Sequence, residues 1–135
     1  MPQLVKDAMS TVVLTIGPAH TLRQAARLMA ARRIGAAVVL DQDTCGIGIL
    51  TERDILNSLG AGENPDRETA QGHTTSDVVF AAPDWTLDDA AGAMVRGGFR
   101  HLVVLDGREP VGIVSVRDIM RCWSAVPRQR ATAAA

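Results

Sequence analysis

The residues whose types and spacing could do chemistry lie in two stretches, Gly48-Ile49-Leu50-Thr51-Glu52-Arg53-Asp54 and Gly112-Ile113-Val114-Ser115-Val116-Arg117-Asp118. Each reads Gly, two apolar residues, a hydroxyl residue and, three positions on, an aspartate. A short strand ending in a hydroxyl N-cap, with a carboxylate in the first turn of the following helix, sets anion-attracting backbone N–H groups beside an acceptor for a sugar hydroxyl. That is the make-up of a nucleotide cradle. The same residues also fit a capping-box variant, in which the carboxylate does no more than stabilise the helix start by about 1 kcal/mol. The two roles are compatible: the hydroxyl caps the helix when the cradle is empty and lies close to an anion when it is full.

Other chemistries find little support. The chain has no nucleophile elbow, no His-x-x-x-His pair and no phosphate loop ending in Gly-Lys-Ser/Thr. Gly46-Ile47-Gly48 begins like a dinucleotide fingerprint, but Thr51 stands where the third glycine would be. Cys45 and Cys122 are far apart and fit no metal-ligand spacing, so each reads as a buried or idle thiol. His20 and His73 read as loop residues with no chemical role. No enzyme activity, metal or required cofactor is expected.

The bulk composition sets outer limits. A chain of 135 residues can build one sizeable core but not two large independent domains. Its hydrophobic content of 47% with 21% charged residues is that of a globular protein. A formal net charge of −1 argues against nucleic acid as a partner, since phosphate-backbone binding normally shows as a basic patch. The only aromatics, Phe80, Trp85, Phe99 and Trp123, are too few for a stacking platform. No apolar run approaches the roughly 20 residues of a membrane span, and the N-terminus lacks a signal-peptide layout, so a cytoplasmic location is expected.

The elements that must position the two cradles emerge from an internal repeat. Pro18, Thr21-Leu22, Ala25-Ala26, Met29 and Val38-Val39-Leu40-Asp41 recur 65 residues later as Pro83, Thr86-Leu87, Ala90-Ala91, Met94 and Val103-Val104-Leu105-Asp106. The offset drops to 64 at the cradles, because the turn between Asp41 and Gly48 is one residue longer than its counterpart. In the first copy, Leu4 to Met9 reads as a helical lead-in and Val12 to Ile16 as a strand. Thr21 caps a helix through about Arg33 with one apolar face, which Gly35 ends. Ala36 to Leu40 is an apolar strand of the kind buried on both sides, Ile47 to Leu50 returns, and Thr51 caps a helix to about Leu59.

The second copy repeats this order. Val78 to Ala81 reads as a strand, Thr86 to Val95 as a helix ending at Gly97-Gly98, and His101 to Leu105 pairs with Val111 to Ser115 across Asp106-Gly107. Val116 to Trp123 closes the unit. These spans divide the chain into a first unit at 4–59, a polar linker at 60–72, a second unit at 73–124 and a disordered tail at 125–135. The expected fold is α/β (α+β): two pseudo-twofold-related β-α-β-β-α units packed through their sheets, with a cleft or a symmetric pair of clefts where they meet.

In the order and double occurrence of these features the sequence resembles the CBS-domain family, as a stand-alone tandem pair or Bateman module, over roughly Leu4 to Trp123. The resemblance implies a regulatory module that binds an adenine nucleotide (AMP, ADP or ATP) in the clefts between paired units. It implies Asp54 and Asp118 as ribose ligands, Thr51 and Ser115 near phosphate, and Ile16 and Ala81 helping to line adenine. Arg100 and His101, within Phe99-Arg100-His101-Leu102, match a family position where basic residues contact phosphate. The first copy has Ile34-Gly35-Ala36-Ala37 there, and the second copy departs at its start, where Gly72-His73-Thr74-Thr75 replaces Asp7-Ala8-Met9-Ser10. The alternatives are a ligand-free dimerisation or protein-interaction module, and a sensor of S-adenosylmethionine or NAD(H).

A homodimer is expected, and an unknown protein partner on a separate chain, since these residues include no effector domain. Ligand binding would act by population shift, favouring the mutual angle that closes a cleft. Met120 and Trp123 fit either a dimer surface or burial within the chain. Trp85 fits packing on its own helix better than a ligand cover.

Overall fold

A computed structural model describes residues 3–44, 46–75 and 80–125. The element order is α1 (Val5–Ala8), β1 (Thr15–Ile16), α2 (Leu22–Arg32), β2 (Ala36–Asp41), β3 (Gly46–Thr51), α3 (Glu52–Gly60), α4 (Ala70–His73), β4 (Phe80–Ala81), α5 (Leu87–Gly97), β5 (His101–Asp106), β6 (Glu109–Ser115) and α6 (Val116–Ala125). The expected strand-helix-strand-strand-helix order is present twice, with two three-stranded sheets, so the fold class is the mixed α and β one read from the sequence. Cys45, Val78 and Val79 of the predicted strand, and the predicted tail from residue 126 on, lie outside the described residues; α6 takes in Ala125.

The two sheets share one topology. β1 pairs parallel with β2 (Thr15 opposite Val38, Ile16 opposite Val39), and β2 pairs antiparallel with β3 from Ala36–Thr51 to Asp41–Gly46. β4, β5 and β6 repeat this, from Phe80–Val103 to Asp106–Glu109, with a bulge near Val104–Leu105. The β5–β6 turn is Gly107-Arg108, and Gly107 has φ 65°, a left-handed conformation that glycine adopts without steric cost. Ala36 to Val39 and Leu102 to Val104 are buried without interruption, as expected of strands covered on both faces.

Helices α2 and α5 form for reasons visible in the sequence. The Thr21 and Thr86 hydroxyls each accept the amide three residues on, from Gln24 and Asp89 at 3.1 Å. Leu22 and Leu87, the first helical residues, are 0% and 2% exposed, and burying such a side chain contributes about 1.5–3 kcal/mol. Ala25 and Met29, then Ala90 and Met94, continue the buried stripes at three-and-four spacing. The C-terminus of α2 differs from expectation: the left-handed residue is Arg33 (φ 55°), at the repeat position of Gly98 (φ 71°), rather than Gly35. Gly35 serves another purpose, since the Glu52 carboxylate lies over it.

The chain forms two compact units, and their boundaries cross those of the repeat. One holds the described residues up to Thr11 together with those from Phe80 onward; the other holds those from Val12 to Thr75. The lead-in α1 thus packs with the second copy, where Val5 and Ala8 join the core of Ala81, Leu87, Ala90, Leu102 and Val114. α4, which overlaps the expected linker, packs with the first copy, and its Ala70 joins the core of Ile16, Leu22, Ala25, Val39 and Leu50.

The exchange is the same in both directions. Val5 N bonds Trp85 O (2.8 Å), Lys6 N bonds Pro83 O (3.0 Å) and Leu87 N bonds Gln3 O (3.0 Å). Sixty-five residues on, Ala70 N bonds His20 O (2.8 Å), Gln71 N bonds Pro18 O (2.9 Å) and Leu22 N bonds Glu68 O (2.9 Å). The departure at Gly72 to Thr75 is therefore one of side chains only. Around α4, Arg23 pairs with Asp66 and its amide bonds Pro65 O at 3.1 Å, tying the connecting segment to α2.

Candidate functional site

Each cradle is the end of an antiparallel hairpin running straight into a helix. In the first, Thr51 is extended (φ −110°, ψ 163°), as an N-cap must be. Asp54 N bonds the Thr51 hydroxyl at 3.3 Å, while Asp54 Oδ2 accepts from Thr51 N at 2.8 Å and from Thr51 Oγ1 at 2.9 Å. Glu52 N bonds Gly35 O at 2.9 Å. Two of the first three helix amides are thus already engaged, which establishes the capping role directly. What is left to meet a ligand is Asp54 Oδ1, which has no hydrogen-bond partner among the described residues, on a partly buried carboxylate fixed by its other oxygen.

The second cradle repeats the backbone and changes the side chains. Ser115 N bonds Asp118 Oδ2 (2.9 Å), Asp118 N bonds Ser115 Oγ (3.0 Å), and Val116 N bonds Arg100 O (2.9 Å). His101 lies opposite Ser115 in the β5–β6 register, where the first copy has Ala36 opposite Thr51. The fold therefore brings Arg100, His101, Ser115 and Asp118 to one hairpin end. Arg100 is exposed and His101 partly buried. In the first copy the Arg100 position is Gly35, with the Glu52 carboxylate over it, so the surroundings change sign from basic to acidic.

Arg121 was not legible as a site residue. Its guanidinium donates to Asp118 Oδ1 at 2.8 Å, occupying the oxygen that stays unbonded in Asp54. The repeat alignment, which puts Asn57 at the Arg121 position, was the available signal. Ile16 and Ala81 end their strands as expected, but their side chains are 3% and 2% exposed and belong to the unit cores. What they offer a ligand is main chain, at the ends of the edge strands β1 and β4. Trp85 packs against its core, as does Cys122, which is a free thiol.

The motif glycines have a steric reason. Ser10 bridges Ile113 through Ser10 N–Ile113 O (2.9 Å) and Ile113 N–Ser10 O (3.0 Å), and Thr75 bridges Ile49 likewise (3.0 and 3.2 Å). The exchanged segment thereby crosses directly over the motif. A Cβ on Gly112 would lie 2.6 Å from Met9 Sδ and 2.9 Å from Ser10 O, and one on Gly48 would lie 2.1 Å from Thr74 Cγ2.

Among known families, the CBS domain matches this sequence twice, over residues 5–61 and 72–125. The chain belongs to the CBS-domain family. Among relatives, the CBS domain-containing protein YhcV of Bacillus subtilis (strain 168) is 34% identical over 116 residues, 85% of this chain and 81% of YhcV. A solved CBS-domain protein of Agrobacterium tumefaciens, ATU1752, superposes with a TM-score of 0.80 at 32% identity, covering 91% of this chain and 95% of that one. The CBS domain pair of protein MJ0100, solved in complex with 5′-methylthioadenosine and S-adenosyl-L-methionine, superposes with a TM-score of 0.79 at 28% identity, covering 90% and 99%. CBS pairs are regulatory ligand-binding modules, and two CBS repeats make up this one. Among the described residues, no helix is long and apolar enough to cross a membrane.

Proposed function

We propose that this CBS pair is a cytoplasmic, non-catalytic regulatory module that binds an adenosine-containing ligand, an adenine nucleotide (AMP, ADP or ATP) in the first instance, through its two cradles. The observation that carries the reading is the Asp54 carboxylate. It is oriented by two hydrogen bonds from Thr51 to one oxygen and presents the other unbonded, a pre-set acceptor for a ribose hydroxyl. Ser115 and Asp118 keep the cap, with one bond from Ser115 N to Asp118 Oδ2 and with Asp118 Oδ1 held by Arg121, and Arg100 and His101 are at hand for phosphate. The two adenosyl ligands of the MJ0100 complex support the same ligand class.

A second reading, S-adenosylmethionine in the first cradle, is favoured by Glu52, whose carboxylate over Gly35 suits a cationic ligand better than a polyphosphate. The proposal includes self-association as a homodimer, supported by matched positions of α3 and α6. Leu56 and Leu59 are 68% and 48% exposed, and Met120 and Trp123, 64 residues on, are 59% and 43% exposed. Apolar side chains left in solvent at equivalent places on two helices suit a self-association face.

A thermal-shift panel of AMP, ADP, ATP, S-adenosylmethionine and NADH tests the ligand reading. A ligand at about 100 times its dissociation constant adds about 2.7 kcal/mol of stability. Asp54→Ala and Asp118→Ala should each weaken that response and the double variant abolish it. No shift with any of the five, in protein freed of carried-over nucleotide, would favour the ligand-free dimerisation module. Undiminished binding by the double variant would remove the ribose assignment.

A further inference from the structure

His73, which reads as a loop residue in the sequence, ends α4 with its ring between two carboxylates. Its Nε2 lies 2.8 Å from Glu68 Oε1 and 3.8 Å from Glu63 Oε1, and one ligand atom from each of the three lies within 4.8 Å of the others. A single ring nitrogen can hydrogen-bond only the nearer carboxylate, so no hydrogen bond joins the ring to the farther one. Glu63 is also held from behind: Ser58, 3% exposed, donates its hydroxyl to Glu63 Oε1 at 2.8 Å, and Glu63 N bonds Ser58 O at 3.1 Å. Glu68 N is fixed to Asn64 O at 2.9 Å. The trio is therefore built on anchored backbone, with a buried hydroxyl orienting one ligand as outer-shell donors do.

We propose that Glu63, Glu68 and His73 form a binding site for a divalent transition-metal ion of the zinc class. Bonds of about 2.1 Å to imidazole nitrogen and carboxylate oxygen place tetrahedral ligand atoms about 3.4 Å apart. The two separations at Nε2 straddle that value, and the two carboxylate oxygens, within 4.8 Å of each other, must close by up to about 1.4 Å to complete the set, with the remaining position left to water. One nitrogen with two carboxylate oxygens suits zinc better than magnesium or calcium, which prefer all-oxygen shells. An ion there would clip the end of α3 to α4, and so hold Thr74 and Thr75 against Gly48 and Ile49.

The test is titration of the metal-stripped full chain with ZnCl2 and, separately, MgCl2, for wild type, His73→Gln and Glu63→Gln. Zinc should raise the wild-type melting midpoint and slow exchange of the Thr75 amide, with magnesium inert. Each substitution should weaken zinc at least tenfold while leaving the zinc-free midpoint close to that of wild type. Cobalt(II) should give the visible bands of a tetrahedral nitrogen–oxygen site, without thiolate charge transfer. Wild type that takes up no zinc, zinc binding unchanged in both variants, or a thiolate spectrum would overturn the assignment. Protection of Thr75 at low pH without metal, lost in His73→Gln, would identify a proton on His73 as the occupant instead and would also overturn it.

Discussion

Substituting Gly112 by alanine tests the exchange of lead-in segments, because the contact at stake joins residues about a hundred positions apart in the chain. The added Cβ would stand 2.9 Å from Ser10 O and 2.6 and 3.0 Å from Met9 Sδ and Cγ. Met9 can rotate away. Ser10 cannot, since its amide and carbonyl are both bonded to Ile113. Restoring ordinary contact requires a backbone shift of about 0.5 Å, at the expense of both bonds, and overpacking of this kind costs about 1–3 kcal/mol. Loss of glycine freedom in the unfolded chain offsets about 0.4–1 kcal/mol. A net loss of about 1–2 kcal/mol should lower the melting midpoint by about 3–8 °C.

Gly48→Ala supplies the control, because its worst clash is with one methyl, Thr74 Cγ2 at 2.1 Å. Thr74→Ser removes that methyl and keeps the hydroxyl that bonds Ala70 O. The double variant Gly48→Ala/Thr74→Ser should regain most of the stability that Gly48→Ala loses, while Thr74→Ser should do nothing for Gly112→Ala. Differential scanning calorimetry of wild type, the three single variants and the two double variants gives the cycles. Wild-type stability in both alanine variants, or rescue of Gly112→Ala by Thr74→Ser, would refute the idea that exchanged segments dictate the motif glycines.

Three further outcomes follow from individual contacts. Arg121→Ala frees Asp118 Oδ1 from an ion pair whose arginine is 63% exposed, and such pairs are worth about 0.2–1 kcal/mol; it should tighten an adenosyl ligand in the second cradle by up to about fivefold in calorimetric titration, and a weaker complex would show that Arg121 helps the ligand instead of competing with it. Met120→Glu should shift the sedimentation coefficient toward the monomer if α6 carries the self-association face, and an unchanged value would move that face elsewhere. Arg33→Gly should stabilise the chain by up to about 1 kcal/mol in denaturant titration, since it relieves a left-handed non-glycine residue; equal midpoints would show that Arg33 makes a compensating contact.

Much of the fold was legible because it rests on periodic burial and local caps. Thr21, Thr51, Thr86 and Ser115 each hold the amide three residues on, a short-range arrangement that any one copy reveals. The exchange of α1 and α4 was not legible. Val5-Lys6-Asp7-Ala8 and Ala70-Gln71-Gly72-His73 share only Val5 and Ala70 as buried apolar residues at matching positions, and main-chain hydrogen bonds, indifferent to side-chain identity, carry the match. The strand expected over Val12 to Ile16 is shorter in the structure for a related reason. Val12 is β-branched but 57% exposed, and the strand paired with β2 in register is Thr15–Ile16. At the cradles, the Thr51–Asp54 and Ser115–Asp118 pairs were visible in the sequence. The Glu52 carboxylate over Gly35 and the Arg121 ion pair were not, because each depends on where a long side chain comes to rest.

Those two side chains bear on how duplicated cradles could diverge in what they hold. Both cradles keep the same extended hydroxyl cap, the same carboxylate bonded to the cap amide, and the same amide bond to the residue before the hairpin strand. Changing any of these would disturb the start of α3 or α6 and so the unit itself, whereas the flanking positions are free of that constraint. There the first copy has Gly35, Glu52 and Asn57 where the second has Arg100, Val116 and Arg121. Each replacement makes the second copy more positive or less negative: Gly35 and Arg100 accept from the first helix amide, Glu52 and Val116 follow the cap directly, and Arg121, six residues past Ser115, spends its charge on Asp118. A ligand with a phosphate tail gains from that field near Ser115 and loses near Thr51, while a ligand with a cationic tail does the reverse. Under the proposed ligand reading, the common carboxylate would select for the ribose and the flanking charge would sort the tails.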